Sequence, residues 1–175
     1  TALVSVMHAN NEIGTIQPIA DLADIAHAHG AKFHSDAVQS TGKIPVKVDE
    51  LNVDMLSLSG HKFNGPKGIG ALWIRRGLRL AATVTGGRQE RNRRAGTENV
   101  SALVGFGEAA RIASSDITTE AQRLSRLRDK LENGILKAVQ GAAINGNLEQ
   151  RLPNTTNISF DRVEAESLLI GLDLE

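Results

Sequence analysis

Short apolar runs alternate with a helical repeat from Ala2 to Ile74, and that alternation leaves few folds open. Ala2-Leu3-Val4-Ser5-Val6-Met7 reads as a strand. Pro18 to His29 then sets Ile19, Leu22, Ala23, Ile25 and Ala26 at helical spacing, with Pro18 at the first turn and Gly30 just past the end. A second strand ends at Asp36, a third spans Val53 to Ser59, and Ile69 to Ile74 supplies another. A strand, a helix and a further strand make a crossover unit with parallel strands. The predicted class is therefore α/β, a mainly parallel layered sheet with helices on both faces.

Beyond the sheet the pattern turns helical. Asn99 to Ala113 reads as a helix, Ser114-Ser115-Asp116 breaks it, and a long helix follows from Thr119 to Val139. The break sets an expected domain boundary, with a large unit at 1–116 and a smaller one at 117–175. The 175 residues are 41% hydrophobic, as in ordinary globular α/β domains, and 20 basic residues balance 20 acidic ones. That balance argues against nucleic acid or an anionic membrane as partner. No run has the length of a membrane helix and no secretory pattern opens the chain, so a cytoplasmic protein is expected.

Two strand ends carry the chemistry. Val53 to Ser59 runs into Ser59-Gly60-His61-Lys62-Phe63-Asn64-Gly65, and the preceding strand ends on Asp36 with Gln39 one turn further on. A lysine in a glycine-rich loop is ordinarily a solvated charge, and an aspartate after a strand equally suits a turn or helix cap. Together they fit a sharper demand. Pyridoxal phosphate needs a lysine amine for a Schiff base and a carboxylate to keep its pyridine nitrogen protonated, and open α/β sheets build such sites at strand ends. Ser59 and His61 beside the lysine suit a phosphate ester.

Other features carry less. Gly65-Pro66-Lys67-Gly68-Ile69-Gly70 lacks the spacing of a nucleotide loop and precedes a strand, so its glycines serve tight turns. Arg88, Arg91, Arg93 and Arg94 have no interleaved aromatic residues for base stacking, which leaves carboxylates or phosphates as their partners. His27 and His29 are two residues apart on a helix and diverge, so no metal site is assigned.

The lysine loop, His34-Ser35-Asp36-Ala37-Val38-Gln39-Ser40, His8-Ala9-Asn10-Asn11-Glu12-Ile13-Gly14, the loop from Gly86 to Asn99 and Glu164-Ala165-Glu166-Ser167-Leu168-Leu169 resemble the cysteine desulfurases. These are fold-type I pyridoxal phosphate enzymes that take sulfur from L-cysteine for iron–sulfur cluster assembly. The resemblance runs nearly end to end, and the loop after Gly86 is closest to the housekeeping and nitrogen-fixation branch. It implies that Lys62 forms the Schiff base, Asp36 pairs with the ring nitrogen and Gln39 contacts the phenolic oxygen. Asn11 lies near the ring, Ser59 and His61 hold the phosphate, and Thr97 reaches the phosphate of a neighbouring subunit, which requires a homodimer. His61 is also a candidate proton shuttle.

The resemblance further implies that the long helix opens a smaller carboxyl-terminal α/β domain, to which Asn157 to Phe160 adds a strand and Glu164 to Leu172 a helix. The family's nucleophilic cysteine, which attacks the substrate sulfur and passes a persulfide to an acceptor or scaffold protein, belongs shortly after that helix. The chain has no cysteine, and its abrupt ends lead us to expect an internal fragment. Another fold-type I enzyme, such as an aminotransferase or selenocysteine lyase, would share the lysine and aspartate but depart from the loop after Gly86. A non-catalytic dimerisation or scaffold protein is the alternative of a different class.

Overall fold

The computed structural model describes residues 1–174; Glu175, the last residue of the expected smaller unit, lies outside the described residues. Strand β1 (Leu3–Met7), helix α1 (Ile19–Ala28), β2 (Lys32–Asp36), β3 (Met55–Ser59) and β4 (Gly70–Ile74) form a four-stranded sheet in the order β1-β2-β3-β4. β2 runs parallel to both β1 and β3, whereas β4 returns antiparallel to β3. The tight loop between β3 and β4 leaves no room for a crossover helix, which explains the one antiparallel pair.

Side-chain alternation divides the sheet into two faces. Ile19, Ala23 and Ala26 of α1 close over Phe33 and Leu56 on the first face, with Ala31, Ala37 and Val53 completing a buried core. Burying a side chain of the size of Phe33 stabilises the fold by about 2 to 3 kcal/mol. Ile25, which its spacing assigns to the apolar helix face, is instead 58% exposed. It borders a shallow apolar hollow with Val4, Val6 and Leu22, because β1 is the sheet edge and nothing in the described chain lies beyond it. The second face carries Ser5, His34, Asp36 and Ser57.

At the amino-terminal end of β3, Asp54 is 3% exposed. Its carboxylate accepts from the Phe33 N–H at 2.9 Å and meets His27 at 2.8 Å, with Lys32 at 3.6 Å and Arg75 at 3.8 Å. Burial works against its charge, but the Phe33 amide, His27 and Lys32 outweigh it and hold the carboxyl below the usual carboxylate range. A depressed folded pKa gives stability that is present above the unfolded value, about 3.9, and is lost as the pH falls through the folded value. Asp54→Asn is therefore expected to lower stability by about 2 kcal/mol at neutral pH. Urea melts across a pH series check this, and the gap between the two proteins should close below about pH 4.

One irregular turn, α2 (Gln89–Asn92), precedes α3 (Val100–Ser115), and α4 (Ile117–Ala138) follows after Asp116 alone. The Asn99 side chain caps α3 by accepting from the Ala102 N–H at 3.2 Å. Ser114 and Ser115 do not end the helix as their type suggests, because their hydroxyls donate back to the Arg111 and Ile112 carbonyls at 2.9 and 2.8 Å. β5 (Ala142–Ile144) pairs antiparallel with β6 (Ile158–Phe160), and α5 (Ala165–Asp173) follows. β5 is three residues long, too short for its periodicity to be read.

The carboxyl-terminal elements are fastened to the loop after β1. Glu132 of α4, 4% exposed, accepts from both terminal nitrogens of Arg151 at 2.6 and 2.8 Å and from the Thr156 hydroxyl at 2.6 Å. Burial opposes the Glu132 charge, but Arg151 and Thr156 outweigh it and hold its pKa low. The adjoining segment donates from Leu152 N to the Gly14 carbonyl at 2.8 Å and accepts from Ile16 N at the Gln150 carbonyl at 2.9 Å. Gly14 has φ +71°, and a Cβ there would sit 2.8 Å from the Thr155 Cβ, so this docking requires glycine.

Candidate active site

The carboxyl ends of three neighbouring strands, β1, β2 and β3, converge on one edge of the sheet. Each of the three leads into a loop that holds residues singled out from the sequence. After β1, the Asn10 side chain accepts from the N–H groups of Glu12 and Ile13 at 2.9 and 3.0 Å and shapes a turn that leaves Asn11 exposed. β2 ends on Asp36, with Gln39 in the loop beyond it, and both are half-buried. After β3, Ser59 leads into a 3-10 turn, Gly60–Phe63, that carries His61 and Lys62.

The lysine turn is held from several sides. Gly65 N donates to the Gly60 carbonyl at 2.9 Å, and a Cβ on Gly65 would meet that same oxygen at 2.9 Å. Asn64 closes the turn in the left-handed region at φ 66°. Phe63 plugs into α3, where its ring meets Phe106 edge-on with centroids 5.3 Å apart. The Ser59 hydroxyl and His61 Nδ1 share a 2.9 Å hydrogen bond, and among the described residues neither the far ring nitrogen nor the Lys62 amine has a hydrogen-bond partner.

Asp36 fills the turn role that its position allows. Its Oδ1 accepts from the Val38 N–H at 2.9 Å, so it closes the turn after β2, and its second oxygen has no hydrogen bond among the described residues. Thr97 sits on the exposed loop before α3, and no hydrogen bond joins it to Ser59, His61 or Lys62 within the described chain.

Two contributors escaped the sequence reading. Lys43 Nζ donates to Gln39 Oε1 at 3.4 Å, and burial together with the positive charge of Lys62 lowers its pKa. A second amine thus lies within electrostatic reach of the first, where the only sequence signal was an unremarkable lysine after a Thr-Gly turn. His34, to which the sequence assigned no role of its own, lies on the same sheet face as Asp36 and bridges two serines.

A parallel sheet that gathers an amine, a carboxylate and phosphate-type donors at its strand ends has the architecture of a pyridoxal phosphate enzyme. The aminotransferase class-V family profile matches residues 1–175. A cysteine desulfurase of Gluconacetobacter diazotrophicus is 53% identical across 97% of the chain and 42% of that protein. The cysteine desulfurase IscS of Dictyoglomus turgidum is 52% identical across 100% of the chain and 44% of its own length. The solved structure of a NifS-like protein from Rickettsia africae superposes with a TM-score of 0.93 at 40% identity, covering 98% of this chain and 48% of that one. The chain belongs to the aminotransferase class-V family and has the fold-type I architecture of its pyridoxal phosphate enzymes. It spans less than half the length of these relatives.

The residues present fit pyridoxal phosphate. Lys43 and Lys62 are close enough for one charge to shift the other's titration, and no carboxylate is paired with either among the described residues. Such an uncompensated cationic corner, with a hydroxyl and an imidazole alongside, suits a phosphate ester. The open oxygen of Asp36 suits a pyridine N–H.

Proposed function

We propose that the full-length protein is a cysteine desulfurase, which takes sulfur from L-cysteine, releases alanine and hands the sulfur as a persulfide to an acceptor or iron–sulfur scaffold protein. The observation that carries this reading is the conjunction of Lys62 and Asp36 at adjacent strand ends with 53% identity to a cysteine desulfurase along 97% of the chain. Bound pyridoxal phosphate supplies a carbonyl for amine chemistry and a protonated ring that accepts electron density.

With pyridoxal phosphate bound, the Lys62 Nζ would hold the cofactor's carbonyl carbon and would be the base for the substrate Cα proton. Asp36 would hold the ring nitrogen through its open oxygen, and Gln39, which accepts from Lys43, would contact the ring's phenolic oxygen. Asn11 borders the ring from the loop after β1, and Ser59 with His61 grips the phosphate, so that binding energy far from the reacting bonds holds them in register. Lys43 adds charge to that grip. His61 also moves a proton at the far nitrogen of its ring. The persulfide-forming thiol comes from outside these 175 residues, which hold no cysteine.

Thr97 completes the phosphate site of a partner copy in a homodimer. Its exposure, and that of Val100 and Val104 on the adjoining face of α3 at 66% and 68%, supports an interface there. Asp116, where α3 gives way to α4, supports the division into a cofactor-binding unit at 1–116 and a smaller unit at 117–175. Among the described residues no helix is long and apolar enough to cross a membrane.

The test is a product balance. Full-length protein given L-cysteine and a thiol reductant should release alanine and sulfide in equal amounts. Transfer of the amino group to a keto acid, with the carbon–sulfur bond left intact, would instead make it an aminotransferase.

A further inference from the structure

The second face of the sheet holds a hydrogen-bonded line that crosses three strands. Ser5 of β1 lies 2.7 Å from His34 Nδ1, and His34 Nε2 lies 2.7 Å from the Ser57 hydroxyl of β3. His34 and Asp36 alternate along β2 and therefore share this face. Ser57 is the direct register partner of Asp36 across the β2–β3 ladder, so the two side chains leave the same face from facing positions. Ser57 bonds the imidazole. Asp36 keeps the Val38 amide on one oxygen and nothing from Ser57 on the other.

We propose that His34 is a positioning residue for Asp36: by accepting the Ser57 hydroxyl proton at Nε2, it keeps Ser57 off the carboxylate oxygen that faces the cofactor's ring nitrogen. This rests on the assignment of Asp36 as ring partner. A hydroxyl donor on that oxygen would disperse the carboxylate's charge and compete with the pyridine N–H for its lone pairs. The arrangement needs the imidazole to be neutral with its proton on Nδ1, donated to Ser5, so that Nε2 is a bare acceptor. Burial favours that neutral form by lowering the His34 pKa, against a smaller opposing pull from Asp36. The two serines do different work: Ser5 selects the tautomer, and Ser57 is the group restrained. In-register strands supply the geometry, because neither serine is near His34 in sequence.

The test is a double-mutant cycle in the full-length protein loaded with 15N-labelled pyridoxal phosphate, read by the ring-nitrogen resonance, which separates the protonated from the bare pyridine nitrogen. In His34→Ala the freed Ser57 should turn to Asp36, so the resonance should move toward the bare form and kcat should fall by about tenfold, the scale of one misdirected hydrogen bond. Ser57→Ala added to His34→Ala removes the competing hydroxyl and should restore both. A purely structural role predicts the opposite, since a second substitution in the same network adds to the damage. An unmoved resonance in folded His34→Ala, or a shift that Ser57→Ala fails to reverse, overturns the proposal.

Should His34→Ala not fold, Ser5→Ala frees the imidazole from its exposed side and should produce a smaller shift of the same sign, again reversed by Ser57→Ala. No shift in Ser5→Ala would then overturn it. Wild-type protein that takes up no labelled cofactor would defeat the underlying assignment and the proposal together, an outcome distinct from bound cofactor with an indifferent ring nitrogen.

Discussion

Replacing Lys62 with alanine is expected to abolish the covalent, borohydride-reducible adduct between the full-length protein and pyridoxal phosphate. Lys62 lies on a one-turn helix at the end of β3, anchored by Phe63 against α3 and closed by Asn64, so its amine is delivered to the strand ends while the turn itself is packed elsewhere. Truncating the side chain leaves those anchors intact. The fold should survive, and noncovalent cofactor should still be held by Ser59, His61 and Lys43. Loss of the group proposed as both Schiff-base amine and proton acceptor should lower kcat by at least about 10²- to 10⁴-fold. Mass spectrometry after borohydride treatment reads the result. Lys43 is the sharp control, because it is the neighbouring amine: an adduct retained in Lys62→Ala and lost in Lys43→Ala would exchange their roles.

Asp36→Asn should separate the turn role of Asp36 from its proposed role as ring partner. Asparagine retains an oxygen that can accept from the Val38 N–H at the position Oδ1 now fills, and it is as good a turn former as aspartate. The thermal midpoint and the cofactor content should therefore change little. The neutral amide, however, cannot favour a protonated pyridine nitrogen as a carboxylate does, and the cysteine-to-alanine rate should fall by about 10² to 10³. Turnover measured beside a melting curve checks both halves. A variant that loses stability while its remaining folded fraction turns over normally would reduce Asp36 to a turn cap.

The parts of this protein that were legible in its sequence are those governed by local rules. β1, α1 and β2 follow from apolar period and from Pro18 and Gly30, because strand alternation and helix caps act within a few residues. The lysine turn was legible for the same reason: an apolar strand running into Ser-Gly-His-Lys must end there, and parallel topology then sends its end to the edge where Asp36 also ends. The α3 break was placed correctly at Asp116 but begun too early at Ser114, since the serine hydroxyls found acceptors inside the helix.

What only the tertiary structure decided is every feature that depends on register or on charge brought together from distant segments. Nothing local to Lys43 announces that it will face Lys62, and nothing near Arg151 announces Glu132 or the docking of its segment on Gly14. Parallel pairing sets Ser5 opposite His34 and Ser57 opposite Asp36 on one face, which brings Ser5, His34 and Ser57 into one line, and a slip of one residue would turn each side chain to the opposite face. The exposure of Ile25 was decided in the same way, since a helical stripe shows which residues can be buried while the sheet's edge determines which of them find a partner.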